Sequence, residues 1–250
     1  MAAGCAVFLI FRILDRMSSS SALEAFLDKW HRRWPEWAVA ETFVPAPQRA
    51  RTVAWFALLQ EFDDILNIAG DPLPADAKLA WWGEELRSWA GRRSRHPLGR
   101  VLEPVDAPWA QLADALLTLP DSRAAAADVA HALERLQPFA QAVVAVERVL
   151  FDAVTDGAAG PVAAQVLAQR LAEAGTAALP LSLRSGEEAQ AQQRWAQAIL
   201  QGWPQRVQGA RPRRIVSTLA RARLAQRARL RRSSPSAMSI LWRAWWAGLG

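Results

Sequence analysis

Prolines cut this sequence into helix-length blocks, and inside the blocks apolar residues return every three or four positions. Leu79, Trp82, Leu86 and Trp89 are spaced 3, 4 and 3, while Phe139, Val143, Val146 and Leu150 are spaced 4, 3 and 4. Either set makes a single stripe on a helix and would scatter over both faces of a strand. Pro35, Pro47, Pro161 and Pro212 stand where a helix can open, because the first turn leaves its N–H groups unbonded in any case. Pro45, Pro104, Pro108, Pro120, Pro138 and Pro204 mark breaks. With no β-branched alternation long enough for a strand, the pattern predicts an all-α, single-domain helical bundle of about ten helices.

The blocks place helices after the Ser18–Ser21 cap, then at 35–43, 47–69, 75–90, 97–103, 108–119, 122–136 and 138–154. Further helices are expected at 161–174, 187–202, 212–232 and 236–247. Residues 1–17 read as a leader ahead of a natural start at Met17, with an amphipathic membrane anchor as the alternative. The helical domain then runs from 18 to 210, and 211–250 forms a basic end packed on that domain or facing a membrane.

Charge is divided unevenly. All 24 acids lie in residues 1–188, where 18 basic residues leave −6, while 189–250 carries +12. Such an end suits an anionic partner: phospholipid, diphosphate or nucleic acid. A single cysteine, Cys5, excludes a disulfide framework and a thiolate zinc site, and His31, His96 and His131 are too scattered for a metal cluster.

Chemistry concentrates in 47–91, read as two helices joined by a Pro-rich turn. Asp63 and Asn67 lie one helical turn apart, with Phe56 and Gln60 along the same face and Asp64 beside them. Leu58, Phe62, Ile65 and Ala69 point nearly the opposite way, so the acidic face meets either bulk water or a polar interior. Carboxylates one turn apart suit Mg²⁺, a hard ion that completes its octahedron with water and phosphate oxygens. The alternative is a solvated helix face.

Phe43, Val44, Pro45, Arg49, the run Ala57–Asn67, Lys78, Leu79, Trp82, Glu85, Leu86, Gly91, His96, Pro97 and Leu98 together form a spaced pattern. It resembles the N-terminal half of the squalene and phytoene synthase family, in which a helix ending in DxxxD precedes KLxxW, EL, G and HP. The resemblance implies an all-α prenyl-synthase bundle around a central cavity that condenses two prenyl diphosphates head to head. Mg²⁺ there joins two aspartate-rich motifs to the diphosphates. By position, Asp63 and Asp64 are metal candidates and Asn67 a weaker one, while Arg49, Phe56, Gln60 and Lys78 are candidates to line the substrate.

The chain departs from that family's pattern at several points. Asn67 replaces the second aspartate of the motif, Gln60 stands where an arginine is usual, and there is no tyrosine. In Gly160–Gly186, where a second motif belongs, Glu173 is the sole acid. Asp152 and Asp156 have DxxxD spacing but fall early, and read equally as solvated acids past a helix end. Without a second carboxylate cluster, bound magnesium and diphosphate would leave charge unmatched in a low-dielectric cavity.

The expectation is therefore a non-catalytic relative that binds prenyl diphosphate or another isoprenoid lipid. It would act as an accessory or assembly factor, as divergent relatives do for respiratory complex I. An active Mg²⁺-dependent prenyltransferase is the alternative. The tail adds a third reading. Trp242, Trp245 and Trp246 follow an arginine-rich helix, which suits a membrane interface better than a nucleic-acid platform. A cytoplasmic protein, peripheral at the inner face of the membrane, is the matching location.

Overall fold

The computed structural model describes residues 21–155, 157–229 and 237–249. Among these residues the chain forms twelve α-helices with short 3₁₀ turns and no strand. They are α1 (21–33), α2 (Trp37–Ala40), α3 (Arg49–Leu66), α4 (Leu73–Ala90), α5 (Gly99–Leu102) and α6 (Trp109–Leu116). There follow α7 (Val129–Arg135), α8 (Gln137–Leu150), α9 (Ala159–Ala174), α10 (Glu188–Gly202), α11 (Arg211–Ala228) and α12 (Ala237–Leu249). The leader at 1–17 and Asp156 lie outside the described residues.

α3 is the axis of the bundle, and every residue from Thr52 to Gln60 is buried. Phe62 meets Trp82 of α4 edge to face at 5.5 Å and Phe139 of α8 at 6.4 Å. One residue of each expected stripe, Trp82 of α4 and Phe139 of α8, thus packs on it. Nine of the thirteen tryptophans are buried, so the indoles serve chiefly as core. Where α3 crosses the body, Phe56 stacks on Trp30 at 6.3 Å and carries the Arg213 guanidinium 4.9 Å from its ring.

Several expected helices are shorter than their patterns. The alanine run before Asp128 favours helix, yet the carbonyls of Ala126 and Ala127 accept from the N–H groups of Leu181 and Ser182 at 2.8 and 3.1 Å. Tertiary pairing therefore outweighs propensity, and α7 opens only where the Asp128 carboxylate accepts from His131 N. α8 stops at Leu150 because Asp152 turns into the left-handed region (φ 48°). α11 ends at Ala228, and the expected end at Arg232 lies outside the described residues.

The basic end packs on the same body. α12 lies along α11 and against α2, and Arg214 near the start of α11 donates to the α12 C-terminal carbonyls of Ala247 (2.9 Å) and Gly248 (3.3 Å). A cation there also suits the negative end of the helix dipole. No described helix is long and apolar enough to cross a membrane.

Candidate functional site

The helical period brings Phe56, Gln60, Asp63 and Asn67 onto one face of α3, as expected, and that face looks inward. Gln60 is buried, accepts from Trp34 Nε1 at 3.3 Å and donates to Asp64 Oδ1 at 2.9 Å. Asp64 lies 2.9 Å from Lys29 Nζ and 3.6 Å from an Arg33 guanidinium nitrogen, both on α1. Burial works against the Lys29 charge, but Asp64 and Glu61 outweigh it and raise its pKa. Arg33 also reaches Glu173 of α9, the acid of the stretch searched for a second motif, at 2.5 Å.

Asn67 is committed on both sides of its amide. Its nitrogen donates to the Asp63 carbonyl at 2.8 Å, and its oxygen accepts from Arg170 at 3.2 Å. Asp63 keeps a little solvent contact while sitting deep among protein atoms. Burial, with a further push from Asp64, raises its pKa to about 8, against the pull of Arg33, Arg213 and Arg170. The acidic face is thus answered by the chain's own cations, where the family pattern would have a second set of carboxylates.

Beneath this face lies an ion pair that the sequence did not announce. Glu147 of α8 and Arg213 of α11 are both nearly solvent-free, and Arg213 donates Nε and Nη2 to the carboxylate at 3.0 and 2.5 Å. Trp55 Nε1 donates to the same carboxylate at 2.7 Å, and Gln165 accepts from Arg213 Nη1 at 2.9 Å. Every strong donor has a partner, as a buried pair requires. The available signal was positional: Glu147 and Arg170 each interrupt an apolar helical stripe with a charge.

The second half of the familiar pattern proves architectural. Glu85 is fully buried and accepts from Trp89 Nε1, Arg95 N and His96 N at 3.0, 2.7 and 2.8 Å, with Arg95 Nε at 3.0 Å. Burial would raise its pKa, but these donors outweigh that and hold it below the usual range. His96 sits between Phe26 and Trp82, each 4.5 Å away, and accepts from Leu98 N. Burial lowers its pKa to about 4, so it stays neutral and serves the turn. Gly99 is required here, since a Cβ would lie 2.4 Å from Ser94 Cβ.

The remaining candidates lie elsewhere. Arg49 donates to the Val44 carbonyl at 3.1 Å and, being 14 residues from Asp63 on α3, is roughly 21 Å along the helix from it. Lys78 is exposed on α4. Asp152 is exposed just beyond α8, whose last carbonyl, that of Leu150, accepts from Arg51 at 2.8 Å. That contact puts Asp152 by the first turn of α3, on the order of 18 Å from Asp63 along the helix.

The arginines of α11 also separate by role. Arg213 and Arg214 bond inside the fold, and Arg223 pairs with Glu36, donates to Arg33 O and lies 3.9 Å from the Trp34 ring. Arg221 donates to Trp203 O at 3.0 Å, whereas Arg211, Arg227 and Arg229 are exposed. Much of the charge expected to meet a partner is spent on the bundle itself. No family model matches this chain and no curated protein matches it, so the family resemblance stands on its motifs alone.

Proposed function

We propose that the chain is a squalene/phytoene synthase-like protein that does not condense prenyl diphosphates. It would serve instead as an accessory factor that binds isoprenoid lipid at a membrane surface. The observation that carries this reading is the occupation of the acidic face by side-chain cations. Lys29 and Arg33 hold Asp64, Arg170 holds the Asn67 oxygen, and the charges of Arg33, Arg213 and Arg170 act on Asp63. Mg²⁺ does not fit this arrangement, because it would have to displace a lysine and an arginine from Asp64. Asp63, its pKa raised to about 8 by burial, would have to release a proton before it could bind a hard cation.

Incubating the full chain with farnesyl diphosphate and Mg²⁺ tests this directly. The expected result is no pyrophosphate release above a protein-free control. Mg²⁺-dependent release that disappears in Asp63→Ala would establish the prenyltransferase instead and overturn the proposal.

A further inference from the structure

α12 has two apolar faces, and the bundle covers only one of them. Ile240, Ala244 and Gly248 follow one another at four-residue spacing and are buried against the body. Met238, Leu241, Trp242, Trp245 and Leu249 occupy the opposite side and are exposed, with Trp242 at 62% and Met238 at 74%. An apolar helix in a protein of this size ordinarily hides its whole surface. Here the outer face and Phe43 line an open apolar groove of about 590 Å³.

A second cleft, of about 700 Å³, opens on the other flank of α12 and shares Ser239 and Trp242 with the first. Its charged lining is Arg206, Arg221 and Arg243, with no carboxylate among the lining residues. Arg206 lies 4.7 Å from the Trp246 ring, and Trp242, Trp245 and Trp246 form one aromatic cluster. The mutual repulsion is felt: burial lowers the Arg221 pKa first, and the Arg243 charge lowers it further. No acid follows Glu188 in the chain, so nothing in its last 62 residues neutralises this cleft.

Apolar groove and unopposed guanidinium cleft, side by side along one helix, reproduce the two layers of a bilayer surface. Hydrocarbon takes aliphatic side chains, indoles rest at headgroup depth, and guanidinium groups meet phosphate. Single-stranded nucleic acid would also use arginine and aromatic rings, but would leave Met238, Leu241 and Leu249 uncovered. We infer that the outer face of α12 docks on an anionic phospholipid bilayer, with Arg206, Arg221 and Arg243 taking the lipid phosphates. This deepens the membrane part of the function proposed above and is independent of whether prenyl diphosphates are turned over.

Flotation of the full chain with vesicles decides it. The protein is expected to float with phosphatidylcholine vesicles containing about one-third phosphatidylglycerol, and to stay behind with phosphatidylcholine alone. Arg206→Gln with Arg243→Gln should weaken binding about 10- to 30-fold, at roughly fivefold per arginine. Trp242→Ser with Trp245→Ser should abolish flotation while the helical circular dichroism is unchanged; all four side chains are exposed, so folding is spared. Equal flotation with neutral vesicles, unchanged binding by either double variant, or retention on single-stranded RNA in place of vesicles would overturn the inference. Pyrophosphate release in the enzyme assay would overturn only the non-catalytic reading.

Discussion

Arg213 and Arg243 present the same guanidinium group from adjacent helices and meet opposite surroundings. Arg213 is enclosed by Glu147, Gln165 and the Phe56 ring, while Arg243 is exposed in a cleft whose lining holds only other arginines as charges. In the first place the charge is satisfied by the fold and has nothing left for a ligand. In the second it costs the fold a little repulsion and remains available. A basic helix is therefore not a binding surface until its residues have been sorted by what already answers them.

That contrast can be broken at its strong end first. Arg213→Ala should destabilise the protein by about 3–5 kcal/mol in chemical denaturation, since it strands the Glu147 carboxylate in the core with only the Trp55 N–H to answer it. Arg213→Met combined with Glu147→Leu should recover only part of the loss, because the buried Trp55 N–H then lacks its acceptor; a single-variant cost below about 1 kcal/mol would mean that the pair is solvated. Glu85→Ala should cost about 2–4 kcal/mol, because three donors from Trp89, Arg95 and His96 lose their acceptor together. Amide exchange should then rise selectively across 92–98.

The acidic face gives an intermediate effect with a sign that depends on pH. The native state keeps the Asp63 proton from 3.8 up to about 8 while the unfolded chain has released it, so stability falls as pH rises through that window. Asp63→Asn should remove that decline. It should stabilise by about 1–3 kcal/mol at pH ~8.5, discounted for the solvent that reaches the carboxyl, and change little below pH ~4. Equal thermal midpoints for variant and parent at both pH values would show that the carboxyl titrates alike in the folded and unfolded chain. At the weak end, Arg243→Gln should alter stability by less than about 0.5 kcal/mol, while still weakening vesicle binding.

Period and punctuation were sufficient to read the helices in this chain, the stripes that form the core, and the shared face of Phe56, Gln60, Asp63 and Asn67. These follow from 3.6 residues per turn, which any helix obeys wherever it packs. The alanine run before α7 was misjudged because propensity acts locally, whereas Ala126 and Ala127 are held by Leu181 and Ser182 from 55 residues away.

Helix placement settled the rest. Whether the acidic face of α3 meets metal, water or arginine depends on how α1, α9 and α11 cross it, and crossing geometry leaves no trace in spacing along one helix. Lys29, Arg33, Arg170 and Arg213 approach Asp63, Asp64 and Asn67 from separations of 30 to 150 residues, too far for any local signal to connect them. The two faces of α12 were equally apolar as text; only packing against α11 and α2 buries Ile240 and leaves Trp242 outside. Burial is a property of pairs of surfaces, and one strand of sequence describes only one surface of each pair.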